Sequence, residues 1–198
     1  MLPLPFTGPA YAVPFWAAFS LWLLFEGRSW LAKRAKGVAA ERRDHGSLAL
    51  LGLLGWSGVL GDFACAFRLP EAALPWARPE IYALGVLMML AGIALRGYAM
   101  ALLGRYFTYD VAVQNDQPVI ETGPYRYVRH PSYSGALLTF VGLALALGNW
   151  AGLALLVSCV SVAYSYRITV EEAELVAAFG DPYRHYMRRT WRLVPFLF

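Results

Sequence analysis

Between Gly123 and Gly135 the chain reads G-P-Y-R-Y-V-R-H-P-S-Y-S-G, and this segment holds the residues best suited to chemistry. Arg126 and Arg129 offer fixed positive charge. Tyr125, Tyr127 and Tyr133 offer aromatic faces and hydroxyls, and His130 offers an imidazole that can donate or accept a hydrogen bond. Pro124 and Pro131 disfavour helical geometry at Gly123 and His130, so the segment is expected to be a shaped loop. A second set lies downstream at Arg167, Glu171, Glu172 and Glu174. On a helix Arg167 and Glu171, four apart, share one face. Singly, each residue has an ordinary explanation: interfacial tyrosines, topology-setting arginines, an exposed ion pair worth a few tenths of a kcal/mol. Their concentration in one segment favours a site.

Other chemistries lack their signatures. No G-x-G-x-x-G follows a strand, and there is no G-K-[ST], H-E-x-x-H or G-x-S-x-G, so a Rossmann cofactor site, a phosphate loop, a zinc protease and a serine hydrolase are all disfavoured. His45, His130 and His185 lack metal-ligand spacing, and no metal site is expected. Cys65 and Cys159 both fall inside apolar blocks, which suggests neither a disulfide framework nor a thiolate centre. Nothing points to nucleic acid.

The elements that must position these residues are apolar. The chain has 198 residues, of which 59% are hydrophobic and 15% charged, with a mean hydropathy of +0.47. That composition is too apolar for an ordinary soluble domain and indicates an integral membrane protein. Blocks at 11–31, 47–67 and 81–103 are each long enough to cross a bilayer. Shorter runs at 136–147 and 151–166 flank Gly148-Asn149-Trp150 and read as a tight helical hairpin. The last segment, 167–198, reads as helical to Phe179, broken at Gly180-Asp181-Pro182, and then as a short basic helix from Tyr183. Within the spans, Asp62 and Arg96 stand as isolated charges. Glu26 and Arg28, near the end of the first block, could pair or reach the headgroups.

The fold class expected is therefore all-α, with about five transmembrane helices in one membrane domain spanning 1–198. Residues 1–79 supply the first two helices; 80–198 supply the third helix, the polar loop, the hairpin and the C-terminal segment. Segments 33–46, 104–132 and 167–198 together hold thirteen Lys and Arg, against two in 68–79 and none at the hairpin tip. The positive-inside rule places those three segments in the cytoplasm and the N-terminus outside. The N-terminus lacks the basic start of a cleavable signal peptide, so the first block is expected to stay. Seventeen basic residues include 15 Arg and 2 Lys, an arginine bias that suits a GC-rich bacterium and hence the bacterial inner membrane.

One resemblance is specific. The elements Val113-Gln114-Asn115, Gly123-x-Tyr125, Arg129-His130-Pro131-Ser132-Tyr133-x-Gly135, then Arg167, Glu171-Glu172, Phe179-Gly180, Tyr183 and Tyr186 resemble the isoprenylcysteine carboxyl methyltransferase family, including its smaller prokaryotic members, which is related to the membrane phospholipid methyltransferases. The likeness covers roughly residues 80 to 197. It implies S-adenosylmethionine bound without a Rossmann domain, in a cytosolic pocket made by the 104–133 loop and the C-terminal helical segment. By position, Gln114, Tyr125, His130, Pro131, Ser132, Tyr133 and Glu171 would hold the cofactor, with Val119 and Ile120 as an apolar strip. Arg167 would engage the carboxylate of the acceptor.

These implied roles agree with elementary chemistry. A carboxylate can accept hydrogen bonds from a ribose diol, and tyrosine faces favour a sulfonium cation. Backbone N–H groups of the proline-shaped loop could hold the methionine carboxylate. The function expected is methyl transfer to an amphipathic or lipid-like acceptor, with membrane lipids as partners and carboxyl O-methylation of an isoprenylcysteine-like substrate in front. Phospholipid N-methylation, with His130 or Glu172 as base, and thiol S-methylation stay open. More distant are an NADPH-dependent sterol-type reductase and a non-enzymatic scaffold in which Asp62 and Arg96 line a path.

Overall fold

A computed structural model describes residues 2–34, 44–76, 78–109 and 117–195. Six α-helices follow in chain order: α1 (Pro9–Arg34), α2 (Ser47–Arg68), α3 (Arg78–Leu103), α4 (Pro131–Leu147), α5 (Trp150–Phe179) and α6 (Asp181–Arg188). Among the described residues there are no strands, only two isolated bridges. Helices α1, α2, α3 and α5 are long and apolar enough to cross a membrane. Helix α4, at 17 residues, rises about 25 Å and falls just short of a hydrocarbon core of about 30 Å. The all-α membrane architecture is as expected, with α4 a short fifth member. Large apolar side chains such as Val13, Leu24, Leu53, Leu60, Leu87 and Val162 point outward and exposed, as a bilayer requires.

The hairpin forms where the sequence placed it. Gly148 takes the left-handed conformation that ends α4, with φ at 71°, and Asn149 caps α5 by accepting from the Gly152 N–H at 3.0 Å. Its amide nitrogen donates to the carbonyls of Cys65 and Leu69 at 3.2 and 2.9 Å, tying the turn to the end of α2. From Leu153 onward α5 meets no Gly or Pro until Gly180, so it continues for 30 residues, about 45 Å. The run ending at Tyr166 and the helical tail are thus one rod. It carries Arg167, Glu171 and Glu172 beyond the apolar bundle.

Helices α3 and α4 approach backbone to backbone. A Cβ at Gly92 would lie 2.4 Å from the Gly135 carbonyl oxygen and 2.4 Å from Thr139 Oγ1; one at Gly142 would lie 2.5 Å from the Gly85 carbonyl oxygen. Apolar side chains gain little by leaving lipid for protein, so small residues that permit this closeness drive the contact. It matters for the site, because α3 ends at and α4 starts from the polar loop. Gly92→Ala should therefore lower stability by about 1–3 kcal/mol, outweighing the roughly 1 kcal/mol gained in helix propensity. Thermal unfolding in a fixed detergent reads this; an unchanged midpoint would mean the helices can part freely.

The two intramembrane charges do not pair with each other. Arg96 donates from Nε to Glu26 Oε1 at 2.5 Å and from Nη2 to Oε2 at 3.0 Å, joining α3 to α1. Glu26 thus turns to Arg96 rather than to Arg28. Asp62 is fully buried, and neither carboxyl oxygen has a hydrogen-bond partner among the described residues. It faces Gly152, where a Cβ would come within 2.2 Å of Oδ1. An unsatisfied buried carboxyl is destabilising. Asp62→Asn, which keeps the shape and carries no charge to desolvate, should raise the thermal midpoint by the equivalent of about 1 kcal/mol. A lower midpoint would mean that the carboxyl stabilises the fold.

Candidate active site

The polar loop is anchored by its own backbone. Gly123 has φ at 59°, a conformation open to glycine, and begins a 3-10 turn over Gly123–Arg126 that buries Tyr125. His130 is neither helical nor extended, with φ at −121° and ψ at 58°, and Pro131 is the first residue of α4. The C-terminal strand-like segment runs alongside: the Arg129 N–H donates to the Trp191 carbonyl at 2.7 Å, the His130 N–H to Arg192 at 3.1 Å, and the Trp191 N–H to Tyr127 at 2.9 Å. These two N–H groups of the proline-shaped loop are therefore committed to the tail and are not offered to an anion.

Side chains repeat the link. Glu172, buried on α5, accepts from Arg129 Nε at 2.8 Å and from Arg192 Nε at 3.1 Å, and its Oε1 lies 3.4 Å from His130 Nε2. Arg129 also donates to the carbonyls of Met187, at 2.9 Å, and Thr190. The Tyr186 hydroxyl donates to the Tyr125 carbonyl at 2.7 Å. Loop, α5 and tail are one unit. Glu172 is its hub, with its charge compensated on two sides.

Two cavities meet at this unit. The first opens between the loop, α5 and α6 and, with its mouth, encloses about 840 Å³; Val119, Ile120, Tyr125, His130, Ser132, Tyr133, Arg167 and Glu171 line it. Of the ten residues that the resemblance assigned to cofactor or acceptor, these eight line it and two do not appear. Pro131 is fully buried and shapes the start of α4 without lining the cavity; Gln114 lies outside the described residues. Gln117, Pro118, Leu175, Phe179, Tyr183 and Tyr186 complete much of the wall. The last three matched the family pattern, yet sequence reasoning assigned them no part in the site. Burial pushes the Tyr125 and Tyr183 hydroxyls well above the usual phenol range, reinforced by the negative charge of Glu171. Both stay neutral and can offer a ring face or a hydrogen bond, but not a base.

The second cavity, about 1410 Å³ with its opening, is a largely apolar groove walled by Trp22, Leu23, Trp30, Leu51, Trp56 and Phe140 from α1, α2 and α4. Its polar end holds Glu26, Arg96, Tyr109 and Arg167. Phe107, Thr108, Tyr133 and Arg167 line both cavities. At this shared wall the Arg167 Nε donates to the Tyr133 hydroxyl at 3.2 Å, and that hydroxyl donates to Glu171 Oε2 at 2.5 Å. Arg167 and Glu171 are thus coupled through Tyr133 on a buried face, not as an exposed pair. His130 stacks on Tyr133, with centroids 5.4 Å apart and planes 6° from parallel. The rest of the guanidinium reaches Asp44, Ser47 and the Tyr109 carbonyl.

Comparison with known proteins agrees with this architecture. The phospholipid methyltransferase family profile matches residues 81–182, more than half of the chain, and covers α3, the loop, α4 and α5. The chain belongs to that family. It is also 38% identical over 117 residues to protein-S-isoprenylcysteine O-methyltransferase of Schizosaccharomyces pombe, covering 58% of this chain and 49% of the relative. The Saccharomyces cerevisiae protein of the same name is 32% identical over 116 residues, covering 58% and 48%. The match thus spans about half the length of these relatives. Among solved structures, the eukaryotic intramembrane Ras methyltransferase ICMT (isoprenylcysteine carboxyl methyltransferase) superposes with a TM-score of 0.70 at 21% identity, over 98% of this chain and 70% of the other. That likeness extends the shared fold to the first two helices, which the sequence pattern did not reach.

Proposed function

We propose that this chain is an S-adenosylmethionine-dependent methyltransferase that esterifies the carboxylate of a prenylated, isoprenylcysteine-like acceptor. The observation that carries the reading is the common wall of the two cavities, one polar and aromatic, the other apolar and opening between helices. Its polar cavity suits the cofactor: Glu171 offers acceptors for a diol, Val119 and Ile120 an apolar strip, and Tyr125, Tyr133 and Tyr183 ring faces for a cation. When bound, the cofactor supplies an electrophilic methyl group. His130 and Ser132 lie in the same lining and would complete the hold, with Pro131 shaping it. Gln114 remains assigned by resemblance.

The apolar groove suits the acceptor's isoprenoid chain, admitted laterally from the bilayer. Arg167, at its polar end, would hold the acceptor's carboxylate and point one oxygen through the shared wall. A carboxylate is ionised at neutral pH and needs no general base. An ammonium acceptor would need one; of the two candidates for that role Glu172 lines neither cavity, whereas His130 lines the polar one, so an amine acceptor is the second reading. The work of the protein is then orientation and removal of water from two oppositely charged reactants. The charge bias of the loops supports a site on the cytoplasmic face, and the excess of arginine over lysine supports a bacterial inner membrane.

Cofactor class is tested by calorimetric titration of the purified protein with S-adenosylhomocysteine, with NADPH as the control. Micromolar binding of the first alone is expected. Binding of NADPH instead would move the chain to the reductases.

A further inference from the structure

The Arg167 guanidinium is almost fully subscribed before any acceptor arrives. Of its five N–H bonds, Nε–H goes to the Tyr133 hydroxyl, Nη1 serves both Asp44 Oδ1 and Ser47 Oγ, and Nη2 serves the Tyr109 carbonyl. One N–H is left. A two-pronged grip on an external carboxylate needs two adjacent N–H groups, so an acceptor must displace a present partner. Three of the four are neutral. Asp44 alone has the charge and the shape of the group that would arrive.

Asp44 is also able to yield. Its Oδ2 accepts the Leu48 N–H at 3.0 Å, and Oδ1 accepts the Ser47 hydroxyl at 2.7 Å. These bonds secure it at the start of α2, where a carboxylate is favoured by the exposed N–H groups and the helix dipole. Partial burial pushes the Asp44 carboxyl up, but the Leu48 N–H, the Ser47 hydroxyl and the Arg167 charge outweigh this and hold it below the usual carboxylate range. The competition at Arg167 is thus between two ionised carboxylates. Asp44 keeps capping bonds whether or not it touches the guanidinium.

We propose that Asp44 is a resident carboxylate that occupies Arg167 in the empty enzyme, yields it to the acceptor's carboxylate, and reclaims it once that carboxylate has become an ester. This rests on the assignment of Arg167 to the acceptor. An ester carries no charge and cannot compete for the guanidinium, so the exchange favours acceptor over product at the moment of release. Asp44 is then a specificity-determining residue for the charge state of the ligand. It comes from a segment distant in sequence from loop and tail.

The test is binding of N-acetyl-S-farnesylcysteine and of its methyl ester to wild-type protein, Asp44→Asn and Arg167→Gln in lipid nanodiscs. Asp44→Asn keeps an acceptor for the Leu48 N–H but removes the charge. Its Kd for the carboxylate should fall about tenfold, while that for the ester moves less than about twofold. Asp44→Ser, a shorter cap that cannot reach Arg167, should tighten the carboxylate in the same way and serves if the first variant misfolds. Unchanged or weaker carboxylate binding in a folded Asp44 variant would make Asp44 a support for Arg167 and overturn the proposal. Carboxylate binding insensitive to Arg167→Gln would instead remove the acceptor assignment beneath it.

Discussion

Arg167→Ala should cut methyl transfer by at least about 30-fold while leaving S-adenosylhomocysteine binding within about threefold of wild type. The guanidinium sits in the wall between two cavities and lines both, and on the acceptor side it is the charged donor that would fix a carboxylate. Losing one member of a buried, hydrogen-bonded charge pair costs roughly 2–5 kcal/mol, so kcat/KM should drop by at least about 30-fold and up to several thousandfold. Misdirection of the acceptor would add to this, since catalysis by orientation tolerates little displacement. Truncation also frees the Tyr133 hydroxyl and leaves Asp44 without its cation, so Arg167→Lys is a useful companion. Lysine keeps the charge without the planar fork and should recover acceptor binding better than turnover. Initial rates and calorimetry on the same preparations separate the two effects. A large loss of cofactor affinity in Arg167→Ala would place the guanidinium on the cofactor side.

The second large effect is expected at Glu171. Its Oε2 accepts from Tyr133 at 2.5 Å and lies 3.9 Å from His130 Nδ1, so it is held over the polar cavity from two sides. Hydrogen bonds to a charged group contribute roughly 1.5–3 kcal/mol. Glu171→Ala should thus weaken S-adenosylhomocysteine about 10- to 150-fold. Turnover at saturating cofactor should fall less, through the released Tyr133 hydroxyl. Because Tyr133 touches both side chains, the double variant should lose less than the two single losses combined. Unaltered calorimetric affinity in Glu171→Ala would take the carboxylate out of the cofactor site.

The sequence already contained the frame of this site, through signals that act over short range. Proline and glycine fixed the loop from Gly123 to Pro131. Spacing of four put Arg167 and Glu171 on one face of a helix. Gly148 and Asn149 marked the hairpin that returns α5 to the loop. What stayed hidden depends on contacts between distant segments. Asp44 meets Arg167 across 123 positions and Glu26 meets Arg96 across 70, and no periodicity relates residues so far apart. Helical spacing likewise suggested a surface ion pair at 167 and 171, because it cannot tell that the start of α4 brings Tyr133 between them. The proline-shaped loop suggested N–H groups that could hold an anion; the tail from Trp191 to Arg192, which claims those of Arg129 and His130, pairs with the loop only in three dimensions. Pro131 was recognised by type, but its place is inside the start of α4.

Loop and tail also show how the polar cavity is built within the matched region. The hub at Glu172 joins α5 to Arg129 and Arg192, and tight packing of Gly92 and Gly135 fixes α3 against α4. The polar cavity is thereby carried by the ends of membrane helices rather than by a sheet. Its neighbour, the groove, is open between α1, α2 and α4, where aromatic side chains face the position of the bilayer.

The most direct measurement is transfer of a labelled methyl group from S-adenosylmethionine to N-acetyl-S-farnesylcysteine by the purified protein in lipid nanodiscs, with phosphatidylethanolamine offered in parallel. The structure-based reading predicts label on the prenylcysteine, released as methanol by mild base as an ester must be, and at least about 30-fold less after Arg167→Ala. Base-stable label on the phospholipid headgroup, with the prenylcysteine left unmodified, would contradict carboxyl methylation and make the acceptor an amine.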